Sequence, residues 1–257
     1  MARDPIIGIA GGVGPYAGID LARKVFDQTI ASSDQDQLPV ALLSFPGQIA
    51  DRTEFLLGHV KTNPAHAIAR VIVQLDRLGA AVAGIPCNTA HAPPIFDVIA
   101  QDVRKAGCSV RILNMVAETA SFLRVHHPRA TTAGVLCTTG TATARVYDAA
   151  LRKEGRDLVM PNESLQARVH DALYDPHIGI KARSNPVTPE ARDILMDAVL
   201  ALQDAGAQAV LLACTEIPLA ITEKSIGETV ILDPTLILAR ALIREVCPEK
   251  LTPLAEA

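Results

Sequence analysis

Two segments of this chain follow the same plan. Leu78-Gly79-Ala80-Ala81-Val82-Ala83-Gly84-Ile85-Pro86-Cys87-Asn88-Thr89 and Ala205-Gly206-Ala207-Gln208-Ala209-Val210-Leu211-Leu212-Ala213-Cys214-Thr215-Glu216 each read as a helix end, a buried strand and a polar turn. In both, the cysteine lies eight positions after the glycine of a Gly-Ala pair. A strand that is apolar along its whole length, not at alternate positions, must be covered on both faces, which is the condition of a parallel sheet inside helices. Two such strand ends, each presenting a thiol, suggest a site with one thiol on either side. That arrangement suits moving a proton from one face of a carbon to the other.

The rest of the chain agrees with an α/β class. Strands are predicted at Ile6–Ala10, Val40–Phe45, Ala81–Ile85, Arg111–Met115, Ala133–Leu136, Asp157–Met160, Ala209–Leu212 and Thr229–Leu232. Helices are predicted at Tyr16–Ala31, Pro64–Leu78, Pro93–Lys105, Val116–Val125, Thr143–Glu154, Ser164–Tyr174, Pro189–Ala205 and Pro234–Val246. The halves repeat. Ile7-Gly8-Ile9-Ala10-Gly11-Gly12 corresponds to Ala133-Gly134-Val135-Leu136-Cys137-Thr138, and Ile112-Leu113-Asn114 to Ile231-Leu232-Asp233. Duplication is the preferred explanation. It predicts two similar lobes with ligands in the cleft between them, beside the carboxyl ends of the strands.

Composition removes several classes. A net charge of −4 gives no electrostatic case for nucleic acid or an anionic membrane, and 3% aromatic residues without tryptophan argue against base stacking. No apolar segment reaches the roughly 18 residues of a membrane span, and the first residues lack the apolar stretch of a signal peptide. Five cysteines at wide spacings, with no CxxC pair, favour neither zinc nor a disulfide framework. The expectation is a cytoplasmic protein with reduced thiols and no bound metal.

Gly11-Gly12-Val13-Gly14-Pro15-Tyr16-Ala17 fits the GxGxxA form of a dinucleotide loop. That reading also wants an acid at the end of the second strand, where this chain has Ser44-Phe45-Pro46. A tight turn at Gly12 whose amides face a small anion is preferred. Asn88 and Thr89 after Cys87 can cap a helix and leave amide donors for a carboxylate. Thr138, Thr139 and Thr141 form a second hydroxyl-rich turn, which reads equally as an anion cradle or as ordinary helix capping. Arg52 suits carboxylate recognition, and Lys181 lies in a loop long enough to act as a lid. Glu216 could orient or deprotonate the neighbouring thiol, or cap the next helix. His126-His127 reads as a helix C-terminal preference, and Cys108 and Cys247 as structural.

With these residues in hand, the chain resembles the aspartate/glutamate racemase family, which works without pyridoxal phosphate. The matching pieces are Gly8-Ile9-Ala10-Gly11-Gly12-Val13-Gly14-Pro15, Asp51-Arg52-Thr53, Pro86-Cys87-Asn88-Thr89-Ala90-His91, Thr138-Thr139-Gly140-Thr141, Gly179-Ile180-Lys181-Ala182 and Cys214-Thr215-Glu216. The resemblance implies two Rossmann-like parallel-sheet lobes related by a pseudo-twofold axis. The last strand and C-terminal helix would return to the first lobe, giving lobes of 1–108 plus 228–257 and 109–227. It implies a homodimer that needs no cofactor. Cys87 and Cys214 would be the acid/base pair; Asn88, Thr89 and Thr215 would hold the α-carboxylate, and Arg52 with Lys181 a side-chain carboxylate, with aspartate as the first substrate and glutamate the next. Val13, Tyr16 and Cys137 depart from the family's usual residues and bear on substrate choice. A helix N-terminus after each cysteine would depress its thiol pKa. Other readings are a same-family decarboxylase or cis–trans isomerase, an NAD(P)-linked oxidoreductase, and a non-catalytic amino-acid-binding module.

Overall fold

The computed structural model describes residues 5–254, so residues 1–4 and 255–257 of the expected first lobe lie outside the described residues. Strands β1 (Ile6–Gly11), β2 (Val40–Ser44), β3 (Ala80–Gly84) and β4 (Arg111–Ile112) form one sheet in the order β2-β1-β3-β4. Strands β5 (Thr132–Cys137), β6 (Asp157–Val159), β7 (Ala209–Ala213), β8 (Ser225–Ile226) and β9 (Thr229–Leu232) form the other, in the order β6-β5-β7-β9-β8. All pairings are parallel except β8 with β9. Replacing β1, β2, β3 and β4 by β5, β6, β7 and β9 turns the first order into the second without its antiparallel edge strand β8. The sequence repeat is therefore a repeat of topology, and the fold is the expected pair of α/β lobes.

The helices are α1 (Pro15–Asp27), α2 (Arg52–Leu56), α3 (Ala65–Arg77), α4 (Pro93–Lys105), α5 (Met115–His126), α6 (Thr139–Thr143), α7 (Asp148–Lys153), α8 (Glu163–Tyr174), α9 (Pro189–Asp204) and α10 (Pro234–Val246). Among the described residues, no helix is long and apolar enough to cross a membrane. Helices cover both faces of each sheet, which is why β7 is buried at every position.

The expected lobe boundaries need correction. Strand β9 was assigned to the first lobe but pairs with β7, Val210 opposite Ile231 and Leu211 opposite Leu232. Ile231 and Leu232 enter the two cores on opposite faces of the second sheet, so this strand has apolar partners on both sides there. Strand β4, assigned to the second lobe, pairs with β3 in the first sheet. What crosses over is the helix after each of these strands. Asn114 caps α5, accepting from Val116 N and Ala117 N, both at 3.0 Å. That helix then buries Val116, Ala120 and Leu123 with Val135 and Leu211 of the second lobe. Asp233 caps α10 in the same way, accepting from Thr235 N at 2.8 Å. Leu238, Leu242 and Ile243 then pack with Ile7, Ile9 and Val82 of the first. The two helices also pack against each other. Each lobe thus lends the other one helix, which ties the two sheets together and holds the cleft between them.

Two further elements differ from the sequence reading. The helix predicted over Thr143–Glu154 begins only at Asp148, as α7; the separate short helix α6 ends at Thr143, and Arg145 between them has a φ of +50°. The break turns Tyr147 inward, where it is 1% exposed. The strand predicted over Arg111–Met115 stops at Ile112, since the Asn114 cap starts a helix at Met115.

Candidate active site

Strands β3 and β7 are central in their sheets, and their carboxyl ends face one cavity. Both cysteines line it, 7% and 6% exposed. The cavity is narrow, with a volume of about 10 Å³. The first lobe contributes Val13, Arg52, Thr53, Cys87, Asn88 and Thr89; the second contributes Thr138, Tyr174, Lys181, Cys214, Thr215 and Glu216.

Cys87 is extended, with φ −160° and ψ 109°, and leads into a 3-10 turn over Asn88–His91. His91 fixes that turn. Its Nε2 accepts from Met115 N at 3.2 Å, so Nδ1 carries the hydrogen and donates to Cys87 O at 2.9 Å. Burial lowers its pKa to about 4, so the ring is neutral. Asn88 is oriented from the other lobe. Tyr147 donates to its Oδ1 at 2.5 Å, and its buried Nδ2 has no protein partner. A buried amide donor without a partner is costly unless a ligand supplies one. Beside it, four threonine hydroxyls form a cluster across the lobes. Thr89 Oγ1 is 2.8 Å from Thr141 Oγ1, Thr138 donates to Thr141 at 3.1 Å, and Thr53 donates to Thr138 at 3.3 Å. Gly140 allows this approach, since a Cβ there would lie 2.8 Å from Thr53 Cα.

Arg52 opens α2, where the Asp51 side chain accepts from Glu54 N at 3.0 Å. Its guanidinium donates to Val13 O, and to Ala50 O at 3.2 Å, leaving a buried Nε without a partner. Burial disfavours this cation, yet the adjoining Cys87 thiol and then Asp51 outweigh it and raise its pKa. In the second lobe, Glu216 is the hub. Lys181 Nζ donates to its Oε1 at 2.9 Å, Cys214 Sγ to its Oε2 at 3.1 Å, and Thr215 Oγ1 to the same oxygen at 3.3 Å. Burial disfavours the Glu216 carboxylate, but Lys181 outweighs that and lowers its pKa. The Tyr174 ring lies under Lys181, 5.1 Å from Nζ to centroid.

The thiol expectation is corrected at Cys214. Its pKa lies well above the ordinary thiol value, through burial and then through Glu216. A short 3-10 turn follows each cysteine, Asn88–His91 after Cys87 and Ile217–Leu219 after Cys214, so the expected helix N-terminus is present at neither and Asn88 and Thr89 do not cap a helix. Glu216 makes no capping bond of its own; its carboxylate faces the thiol instead.

Three expected site residues, Gly12, Thr139 and Thr141, are not among those lining the cavity. Gly12, at φ +81°, packs against the backbone of the second strand's exit, and a Cβ there would lie 2.6 Å from Phe45 N. It serves a close chain approach. Thr139 is the half-buried first residue of α6, and its turn neighbours Thr138 and Thr141 form the cluster instead. Val13, Thr53, Tyr147, Tyr174 and His91 went unnoticed as site residues. Thr53 and Tyr174 border motifs already singled out, whereas no local signal marks Tyr147. Cys137 is fully buried in the second lobe, and burial pushes its thiol up to about 12. All five cysteines are free.

The Asp/Glu/Hydantoin racemase family model matches residues 10–242. The chain is 31% identical over 167 residues to the broad specificity amino-acid racemase RacX of Bacillus subtilis, covering 63% of this chain and 67% of the relative. A Picrophilus torridus aspartate racemase matches with a TM-score of 0.77 and 29% identity over 94% of each chain. A Francisella tularensis glutamate racemase, solved with D-glutamate, matches with a TM-score of 0.65, covering 100% of this chain and 86% of that one. At 15% identity the latter likeness is one of fold.

Proposed function

The chain belongs to the Asp/Glu/hydantoin racemase family, and on that premise we propose that it racemises an amino acid without a cofactor, by proton transfer between Cys87 and Cys214. The observation that carries this reading is that two thiols from equivalent strand ends line one small cavity. One cysteine, as thiolate, removes the α-hydrogen as a proton. The other, as thiol, delivers a proton to the opposite face of the carbanion. An α-carbon is a weak acid, so charge spreading onto the α-carboxylate must be met by donors already in place. Asn88 Nδ2 and the hydroxyls of Thr89, Thr138 and Thr215 are the candidates, and their burial strengthens each such contact.

Aspartate is the substrate proposed first, with Arg52 and Lys181 as the cations for its side chain and Arg52 Nε as an N–H free to receive it. A second reading, an uncharged side chain, is favoured by one observation: Lys181 is already paired with Glu216. A cytoplasmic homodimer is the assembly proposed with either, and light scattering of the purified chain tests the dimer. The decisive experiment incubates both enantiomers of aspartate, glutamate and a neutral panel in deuterated water. Exchange of the α-hydrogen together with formation of the antipode is expected. Exchange with carbon dioxide release instead would mean a decarboxylase, and tight binding without exchange a binding module.

A further inference from the structure

The two thiols sit in opposite electrostatic surroundings. Cys87 lines the cavity with Arg52 of its own lobe, and among the described residues no carboxylate accepts from its sulfur. Cys214 points its hydrogen at Glu216 Oε2, 3.1 Å away, in a buried position. The charged and titratable groups around Cys214 are Glu216 from its own turn, Lys181 from the loop before α9 and Tyr174 from α8; Arg52 from α2 acts on Glu216. Of these, Glu216 alone accepts from the sulfur. Lys181 holds the other carboxylate oxygen at 2.9 Å and keeps Glu216 ionised. Gly14 leaves room for it, since a Cβ there would lie 2.8 Å from Glu216 Oε1.

We infer that Glu216, braced by Lys181, is a positioning residue that keeps the proton on Cys214 at rest, so that Cys87 is the base that acts first. The inference rests on the two-thiol reading and adds to it a direction. In the resting site, Cys87 as thiolate takes the α-hydrogen as a proton and becomes a thiol. The Cys214 S–H bond breaks and its proton goes to the opposite face of the carbanion, leaving a Cys214 thiolate. That thiolate now faces the Glu216 carboxylate across about the same short distance, which is repulsive. The repulsion returns the site to its starting form once product leaves, Cys214 regaining a proton from solvent and Cys87 releasing one.

Peptide-resolved alkylation by iodoacetamide as a function of pH tests this directly. The rate midpoint reports the ionisation of a thiol whatever its accessibility. In the wild type, Cys214 is expected to react with a midpoint above the ordinary thiol value of about 8.5, and Cys87 to be labelled first. In Glu216→Gln, which keeps shape and removes charge, the Cys214 midpoint falls by roughly one pH unit or more, while the Cys108 and Cys247 midpoints stay in place. A wild-type Cys214 midpoint at or below about 8.5, or one that Glu216→Gln does not move, overturns the inference. Should that variant not fold, the wild-type midpoint decides alone. A chain that exchanges α-hydrogen but labels at Cys214 first loses only this inference; one that exchanges no amino-acid hydrogen loses the two-thiol reading.

Discussion

Tyr147 and Asn88 join the two lobes by a buried hydrogen bond: the phenol, on the break between α6 and α7, donates to Oδ1 of the residue after Cys87 at 2.5 Å. The bond leaves the unpartnered Asn88 Nδ2 to face a ligand. Removing the phenol oxygen should release that orientation and strand a buried acceptor. Tyr147→Phe is expected to lose about 1–3 kcal/mol of stability in urea. The Michaelis constant should rise with a smaller change in turnover. An unchanged Michaelis constant would mean that Asn88 does not hold substrate.

Cys87→Ser and Cys214→Ser should each lower racemisation at least a hundredfold, about the contribution of a positioned acid or base. Substrate binding, measured by calorimetry, should persist in both. Near-normal turnover in either variant would remove the two-thiol mechanism.

Arg52→Ala should raise the Michaelis constant for acidic amino acids about tenfold to a hundredfold, the loss of a charge-assisted hydrogen bond. Neutral amino acids should be affected far less. Equal losses would show that Arg52 does not read the side chain.

The exchange of α10 into the first lobe predicts a coupled pair. A Cβ on Gly84 would lie 3.0 Å from Leu242 Cδ1 and 3.2 Å from Leu238 Cδ2. Leu242→Ala should cost about 2–5 kcal/mol, and Gly84→Ala about 1–3 kcal/mol by crowding. The double variant should be more stable than their sum by at least about 0.5 kcal/mol, because the new methyl enters the vacated space. Strict additivity in urea titrations would place α10 elsewhere.

His91 predicts an acid limb of stability. Burial lowers its pKa from 6.5 to about 4. The unfolded chain therefore takes up a proton here that the folded chain refuses. The contribution is complete above pH 6.5 and is lost as pH falls toward 4, by about 3 kcal/mol over that window. His91→Gln should flatten this part of the curve. An identical acid limb in the variant would assign it to other groups.

Much of this was legible because it is local. Val82 and Leu211 lie in apolar runs too continuous for a half-exposed strand, and both are fully buried. Of the two readings open for the Thr138 turn, the capping bond is present, Thr138 accepting from Thr141 N at 3.3 Å. Cys87 and Cys214 follow matching strands, and matching strands in a duplicated fold end at matching places. Gly12 was misread for the opposite reason. A glycine with positive φ is demanded equally by an anion-binding turn and by a close chain approach, and its neighbours in sequence do not distinguish them.

The amino-acid sequence by itself determined the α/β class, the repeat and the two cysteine-bearing turns, since these follow from hydrophobic pattern and capping within a few residues. Tertiary structure decided that β4 and β9 stay in the sheets their following helices leave, because an apolar strand carries no label for its partner sheet. It also brought Tyr147 to Asn88, and Lys181 to Glu216, over separations no local pattern records. The surroundings of the two sulfurs were decided in the same way. A thiol responds to burial and to charges within a few ångströms, and these come from four different segments of the chain.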